Sequence, residues 1–280
     1  MILKKLQLRQ YRNYDSLDLE ADPQANLIIG PNAQGKTNLL EAIYVLALTK
    51  SHRTHKDKEL TKWNDEQSRI YGEVEKKYGL YKLDLAFHAK GKKAKINGLE
   101  QNRLSEFIGT LNVVMFAPED LSIVKGNPGV RRRFMDMEIA QVHPGYVHHL
   151  SQYQKVLNQR NQLLKQCGQS IERHPSAELL EVWDEQLAEY GSKIIKKRQS
   201  FIHKLQIWAK EIHASITSGR ENLEIAYAPS FEIEDFSDES VLFKQYMIKL
   251  SQVRIQEQRR GMTLAGPHRD DLTFFINGKE

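Results

Sequence analysis

The chain has 280 residues, which allows one large domain or two small ones, each with a hydrophobic core. Hydrophobic residues make up 40% and charged residues 28%, and no stretch approaches the roughly 18 apolar residues of a membrane span. The net charge of +5 only slightly favours nucleic acid as a partner. The start lacks the apolar segment of a signal peptide, and the single cysteine, Cys167, excludes an internal disulfide. We therefore expect a cytoplasmic protein, with Cys167 as a small buried or half-buried side chain.

The first predicted elements surround a turn at Arg12-Asn13-Tyr14. Alternating apolar residues predict a strand before this turn, at residues 2–8, and another after it, at 17–19. The run "ANLIIG" (25–30) is typical of a buried strand. The apolar residues from 39 to 46 recur at helical spacing and predict a helix.

Between this predicted strand and helix lies the pattern G-x-x-x-x-G-K-T. Its residues are Gly30, Pro31, Asn32, Ala33, Gln34, Gly35, Lys36 and Thr37. The glycines let backbone N–H groups surround an anion, Lys36 brings a positive charge to the β- and γ-phosphates, and the Thr37 hydroxyl can coordinate Mg²⁺. The helix that follows directs its positive end at the same anion. The pattern predicts nucleotide binding.

The next elements change from strands to helices. Residues 70–87 alternate with a period of two, which predicts antiparallel strands, and Asn97-Gly98 predicts a hairpin turn. Apolar spacings of three and four predict two antiparallel helices, at 146–164 and 180–216, interrupted at 168–176. The second helix would have about 40 residues, and both Trp183 and Trp208 would lie in the core. Strands are predicted again at "LEIAYAP" and "LTFFINGK", with a helix at 240–260 between them.

These elements predict an α/β fold with three parts. Residues 1–120 form a P-loop NTPase lobe with added antiparallel strands, and residues 121–220 form a helical lobe with an antiparallel helix pair. Residues 221–280 are expected to return to the sheet as an incomplete segment.

No catalytic residue can be identified in the sequence. A P-loop ATPase needs a carboxylate at the end of an apolar strand to hold Mg²⁺ and polarise water, and no convincing example occurs. Gly266-Pro267-His268 interrupts the strand pattern before Asp270 and Asp271, which favours a charged loop there. The adjacent His148 and His149 would point about 100° apart on a helix, so we expect no shared metal. We expect none at His52, His55 and His143 either.

Several basic clusters are candidates for contact with DNA phosphates. Lys90, Lys92, Lys93 and Lys95 lie in the predicted hairpin, and two further clusters occur in "KIIKKR" and "RIQEQRR". A solvated face is the competing interpretation, because acidic residues lie among these clusters. Arg131, Arg132 and Arg133 are expected instead to support the junction of the lobes.

The chain resembles the RecF family of bacterial DNA replication and repair proteins, which are related to the head domains of SMC and Rad50 proteins. The resemblance runs from residue 1 to the end. It rests on "LQLRQYRNYDSLDLE", "GPNAQGKTNLLEAIYVLALTKSHRTHKDKEL", "MFAPEDLSIVKGNPGVRRRFMDMEIAQ", "YQKVLNQRNQLLK" and "LAGPHRDDLTFFINGK". It implies a P-loop NTPase of the ABC or SMC-head type with a helical-hairpin second lobe.

The resemblance also implies roles for single residues. Gly30 to Thr37 would hold ATP, with Lys36 on the phosphates, Thr37 on Mg²⁺ and Asn32 near the γ-phosphate. Arg12 and Asn13 would approach the base or ribose, and Glu119 would lie near a loop that senses the γ-phosphate. Arg53 resembles an arginine that couples DNA contact to ATP turnover in SMC heads.

At the level of the whole protein, the resemblance implies a weak DNA-dependent ATPase. Such a protein acts at DNA gaps and stalled replication, binds single-stranded and duplex DNA, and promotes recombinase loading and the SOS response. RecR and RecO are the implied partners, and ATP would hold a homodimer together.

The family's signature motif and Walker B aspartates are not found in these residues, so we expect them to correspond to an N-terminal portion. We expect this chain to bind nucleotide weakly and neither to hydrolyse ATP nor to form the homodimer. Two alternatives stay open at this point. One is another P-loop enzyme, such as a transporter ATP-binding subunit or a small-molecule kinase, and the other is an interaction module that binds no nucleotide.

Overall fold

The computed structural model describes residues 1–169 and 177–279, and it divides the chain into two compact units. The first unit comprises residues 1–116 and 140–144, and the second comprises 117–139 and the residues from 145 onward. The predicted interruption at 168–176 and the side chain of Cys167 lie largely outside the described residues. No described helix has the length and the apolar composition needed to cross a membrane.

The first unit contains a six-stranded antiparallel sheet, in the order β2-β1-β3-β4-β5-β6. Its strands are β1 (Ile2–Tyr11), β2 (Tyr14–Glu20), β3 (Gln67–Lys76), β4 (Gly79–His88), β5 (Gly91–Ile96) and β6 (Leu99–Glu100). The alternation in the sequence sets one apolar face, on which Leu6, Leu8, Ile70 and Leu85 are buried. Both Asn97 (φ 52°) and Gly98 (φ 84°) have positive φ, as the predicted two-residue turn requires.

Helix α1 (Lys36–Leu48) follows the glycine-containing loop, as predicted, and buries its apolar face against β3 and β4. The remaining helix of this unit is the short α2 (Leu104–Phe107), and a 3₁₀ turn spans Asp57–Leu60.

The prediction of a buried strand at residues 25–30 is wrong for this structure. Leu27 is 87% exposed and Ile29 is 80% exposed, and neither residue belongs to a strand. A strand needs a neighbour that accepts and donates its backbone hydrogen bonds. Among the described residues no strand lies beside this segment, so the apolar run has nothing to pair with.

The second unit contains most of the helices. They are α3 (Ser122–Lys125), α4 (Pro128–Val142), which ends in residues counted with the first unit, α5 (Pro144–Gln169), α6 (Ala177–Ile216) and α7 (Glu239–Arg260). A 3₁₀ turn at Pro118–Leu121 precedes them, and two strands, β7 (Leu223–Ala228) and β8 (Asp271–Ile276), pair antiparallel. Residues 221–279, expected to return to the first sheet, thus form their own two-stranded sheet within the second unit.

The contacts between α5 and α6 confirm the predicted antiparallel pair. Arg160 of α5 contacts Asp184 of α6, and Tyr146 of α5 contacts Arg198 of α6. Earlier residues of α5 therefore lie beside later residues of α6, as in an antiparallel pair. Helix α6 has 40 residues, as predicted. Its apolar face shares a core with α7 and the small sheet, and this core includes Tyr146, Leu187, Ile194, Leu242, Tyr246 and Leu250.

The end of α6 departs from the prediction that its whole apolar stripe is core. Trp183 packs partly buried against the core, but Trp208 is 64% exposed and Ile212 is 59% exposed. At this end the small sheet contacts a different side of the helix, where Gln206 bonds with Leu223 and Ile225. The stripe at 208–216 therefore has no described element to cover it.

The segment from Leu264 to Asp271 is anchored to the helices by hydrogen bonds. Tyr246 donates to Ala265 O (2.9 Å), and Arg198 donates to Pro267 O (2.6 Å). A Cβ on Gly266 would lie 1.7 Å from the Tyr246 hydroxyl, so only glycine fits beneath it. Asp270 is buried and accepts from Ser230 N (2.7 Å) and from the Tyr227 hydroxyl, and Asp271 pairs with Arg131 (2.7 Å). These two carboxylates therefore have structural partners within the second unit.

His268 in this segment predicts a pH dependence of stability. Its Nδ1 accepts from the Tyr153 hydroxyl (2.7 Å), and burial, followed by the charges of nearby arginines, lowers its pKa to about 4. The unfolded chain takes up this proton near pH 6.5, so the free energy of unfolding is expected to fall as pH drops from about 6.5 to 4. The loss should reach at most about 3 kcal/mol and be complete below the folded pKa. Urea unfolding of the wild type and of His268→Gln across this range checks the prediction. The stability advantage of the wild type over the variant should shrink as the pH falls, and a difference that stays constant with pH would contradict it.

Candidate nucleotide-binding site

The site is formed by the glycine loop, residues 30–37, at the N-terminus of α1. Gly30, Ala33 and Gly35 all have positive φ (151°, 66° and 99°), which gives the loop its tight curvature. The Lys36 ammonium donates to Gly30 O and Pro31 O, each at 2.7 Å, and so lies against the start of the loop. Glycine backbone, a lysine charge and a helix N-terminus converge here, which is the arrangement that binds phosphate groups.

The turn at residues 12–14 contacts the glycine loop directly. Asn13 donates to Gln34 O (3.3 Å), and the Tyr14 hydroxyl donates to Gly35 O (3.2 Å). A Cβ on Gly35 would lie 2.6 Å from the Asn13 amide, so the second glycine of the pattern is required both by its φ and by this close approach. The structure thus brings Asn13 to the loop.

The Arg12 guanidinium, in the same turn, bonds with a buried carboxylate of α1. Its Nε and Nη2 donate to the two carboxylate oxygens of Glu41, at 2.8 and 2.6 Å. Glu41 is fully buried on α1, one turn after Thr37, and it also accepts from the Ser51 hydroxyl (2.5 Å). Burial alone raises the pKa of Glu41, but the hydrogen bonds and charges of its partners outweigh it and lower the pKa. The carboxylate is therefore ionised.

Arg53 lies beside this pair. Its Nη1 donates to Asn38 Oδ1 (2.9 Å) and is 3.7 Å from Glu41, and its side chain stays 39% exposed. Asn38 in turn donates to Asn13 Oδ1 (2.8 Å). Arg53 is therefore connected to the glycine loop through two side-chain amides.

The predicted DNA-binding lysines divide into two groups. Lys93 and Lys95 lie on one face of β5, and Lys90 is exposed in the turn before it. Lys92 instead points to the other face, where it donates to Thr49 O (2.5 Å) and pairs with Asp57 (2.8 Å). Successive side chains of a strand point to opposite faces, so Lys92 lies on the face opposite to Lys93 and Lys95. We call Lys90, Lys93 and Lys95 the hairpin lysines.

Other predicted residues lie in the second unit. Glu119 is in the turn Pro118–Leu121, and Arg131 and Arg132 bond with Asp271 and Asp270 O. Within the described part of the chain, no group of three or more His, Cys, Asp or Glu side chains is placed to bind a metal.

Sequence reasoning missed Glu41, Asn38 and Ser51. A charged residue in the otherwise apolar run "LLEAIYVLAL" was the available signal, since a carboxylate on a buried helix face needs a cationic partner. Which cation this would be could not be read from the spacing.

The fold and the glycine loop define a P-loop ATPase, and residues 1–260 match the family model of the AAA ATPase domain. The DNA replication and repair protein RecF of Oceanobacillus iheyensis is 51% identical over 282 residues, covering 100% of this chain and 75% of the relative. RecF of Bacillus cereus is 51% identical over 279 residues, covering 100% and 74%. The solved structure of the recombination mediator protein RecF-ATP in the RecFOR pathway has a TM-score of 0.93 at 34% identity, covering 100% and 74%. The chain belongs to the RecF family.

Proposed function

We propose that the chain binds ATP with Mg²⁺ at residues 30–37 and contacts DNA as the N-terminal portion of a RecF-type recombination and repair protein. The observation that carries the proposal is the glycine loop itself, with its Lys36 ammonium and with Asn13 and Tyr14 seated against it. The kinship to RecF and the existence of its ATP-bound structure support the choice of ATP.

Each residue of the loop has a role in this proposal. The backbone of residues 30–35 surrounds the phosphates, Lys36 neutralises the β- and γ-phosphates, and the Thr37 hydroxyl binds Mg²⁺. Asn32 lies toward the γ-phosphate, and Arg12 and Asn13 form the side toward the base or ribose. The N-terminus of α1 adds the positive end of its dipole.

For DNA we propose contacts from the hairpin lysines and from Arg53. Lys93 is 60% exposed, with Glu100 at 3.6 Å as a weak surface partner, so its charge is available to a phosphate. Lys92 contributes to the fold through Thr49 and Asp57 and is not among the proposed contacts.

The remaining parts of the proposal concern the whole protein. By kinship to RecF, we propose that the whole protein is cytoplasmic, acts at gaps and stalled replication, and binds single-stranded and duplex DNA. It would promote recombinase loading and the SOS response, work with RecR and RecO, and form an ATP-dependent homodimer. Membership of the RecF family excludes the transporter ATP-binding subunit and the small-molecule kinase. The other alternative, an interaction module that binds no nucleotide, predicts no ATP binding.

The ATP site is tested by Lys36→Ala. Removing the ammonium should weaken binding of fluorescent ATP with Mg²⁺ by about 10- to 100-fold, because a hydrogen bond to a charged group contributes about 1.5–3 kcal/mol. The measurement is equilibrium anisotropy, with Lys50→Ala as a control lysine outside the loop. Equal affinity of wild type and Lys36→Ala would rule out this loop as the ATP site.

The DNA contacts are tested by replacing all three hairpin lysines with alanine. Each lost phosphate contact should reduce the salt slope of log K by about 0.9, so the triple variant should lose up to about 3 in slope. The matched control replaces three exposed lysines of α5 and α6 that lie outside the predicted basic clusters, Lys155, Lys204 and Lys210. If both triples lower duplex affinity equally, only net charge matters and the proposed contacts are wrong.

A further inference from the structure

Glu41 is a fully buried carboxylate that the proposed ATP and DNA contacts do not use. It lies on α1 four residues after Thr37, so both residues project from one side of the helix. A buried charge is costly unless hydrogen bonds and opposite charges compensate it. Here Arg12, Ser51 and Arg53 supply that compensation.

The partners of Glu41 come from two separate segments around the glycine loop. Arg12 belongs to the turn that contacts Gln34 and Gly35, and Ser51 begins the loop after α1. Ser51 also accepts from the backbone N–H groups of Arg53 (2.9 Å) and Thr54 (3.1 Å), so it holds that loop in shape. One carboxylate therefore ties both segments to the helix that begins the site.

A second set of contacts joins the same segments closer to the loop. Arg53 donates to Asn38, Asn38 donates to Asn13, and Asn13 donates to Gln34 O. These three groups are partly exposed, so alone they would exchange readily with water. The buried charge pair beneath them restricts the positions of Arg53 and of the turn, and so keeps these exposed contacts aligned.

We propose that Glu41 is a positioning residue for nucleotide binding. By holding Arg12 and the segment from Ser51 to Arg53, its carboxylate keeps the turn at residues 12–14 seated on the glycine loop. The inference rests on the proposed ATP site. Glu41 itself touches no nucleotide, and removing its charge loosens the loop without removing any phosphate ligand.

Glu41→Gln tests this, because glutamine keeps the size and loses the charge. At a temperature well below every melting point, ATP should bind about 10-fold more weakly. Amide hydrogen exchange without nucleotide should accelerate at residues 12–14 and 30–37. The control is Asp184→Asn, which removes a similarly buried carboxylate (1% exposed) held by Arg160 and Arg254 in the second unit. It should lower the melting temperature but leave ATP affinity within about 2-fold and exchange in the loop unchanged.

Each outcome decides the inference. Wild-type affinity and wild-type exchange in Glu41→Gln overturn it, as does an equal loss of affinity in Asp184→Asn. If the wild type itself does not bind ATP, the proposed function fails, yet faster exchange in Glu41→Gln still supports the positioning role. If Glu41→Gln does not fold, Ser51→Ala is used in its place, since it removes one hydrogen bond to the carboxylate. It should also weaken ATP binding and accelerate amide exchange at residues 12–14 and 30–37, but by smaller amounts.

Discussion

Replacing Arg160 by methionine is expected to lower the free energy of unfolding of the second unit by about 3–5 kcal/mol. Arg160 is fully buried where α5, α6 and α7 meet, and it donates to Asp184 (2.7 Å), Glu257 (2.7 Å) and Thr263 (2.8 Å). Methionine has a similar length but leaves both carboxylates buried with less compensation. Urea unfolding followed by far-UV circular dichroism measures the loss.

A control for this prediction is Arg254→Met. Arg254 also pairs with Asp184 (3.1 Å), but its side chain is 24% exposed and water can replace it. Its loss should cost about 1 kcal/mol or less. Adding Asp184→Asn and Glu257→Gln to Arg160→Met should recover part of the stability, since no unpaired charge then stays buried. Equal losses of unfolding free energy in Arg160→Met and Arg254→Met would show that the burial of the arginine does not determine the loss.

Gly35→Ala is expected to give the second large effect, on both the loop and its ligand. The φ of 99° costs a residue with a side chain about 1–3 kcal/mol. The new Cβ would also lie 2.6 Å from the Asn13 amide and 3.0 Å from the Tyr14 hydroxyl. The turn at 12–14 must then move off the loop, and ATP affinity should fall by up to about 100-fold.

The two causes can be separated by a double variant. Asn13→Gly combined with Gly35→Ala removes most of the collision but keeps the unfavourable φ. Adding Gly35→Ala to Asn13→Gly should therefore cost less ATP affinity than adding Gly35→Ala to the wild type. Gly30→Ala serves as a comparison, because its φ is 151° and a Cβ added there would meet no described atom within 4 Å. ATP affinity in Gly35→Ala equal to that of the wild type would show that this contact is not needed for binding.

Local patterns in the sequence determined much of this protein. The alternation at 70–87, the Asn97-Gly98 turn and the helical spacing at 180–216 all correspond to observed elements. The G-x-x-x-x-G-K-T pattern located the site and the helix that follows it. Each of these features depends on residues close together in the chain, where backbone preferences and one apolar face suffice to specify the element.

The tertiary structure decided which faces are covered and which charges meet. Leu27 and Trp208 lie on apolar patterns that predicted burial, yet both are exposed because no described element packs there. Lys92 and Lys93 are adjacent in one basic run, and only the pairing of β5 shows that Lys92 serves the fold. Arg12 and Glu41 are 29 residues apart in the chain and form one buried ion pair. Periodicity identifies a face or a charge, but its partner comes from a distant segment that only the folded chain brings close.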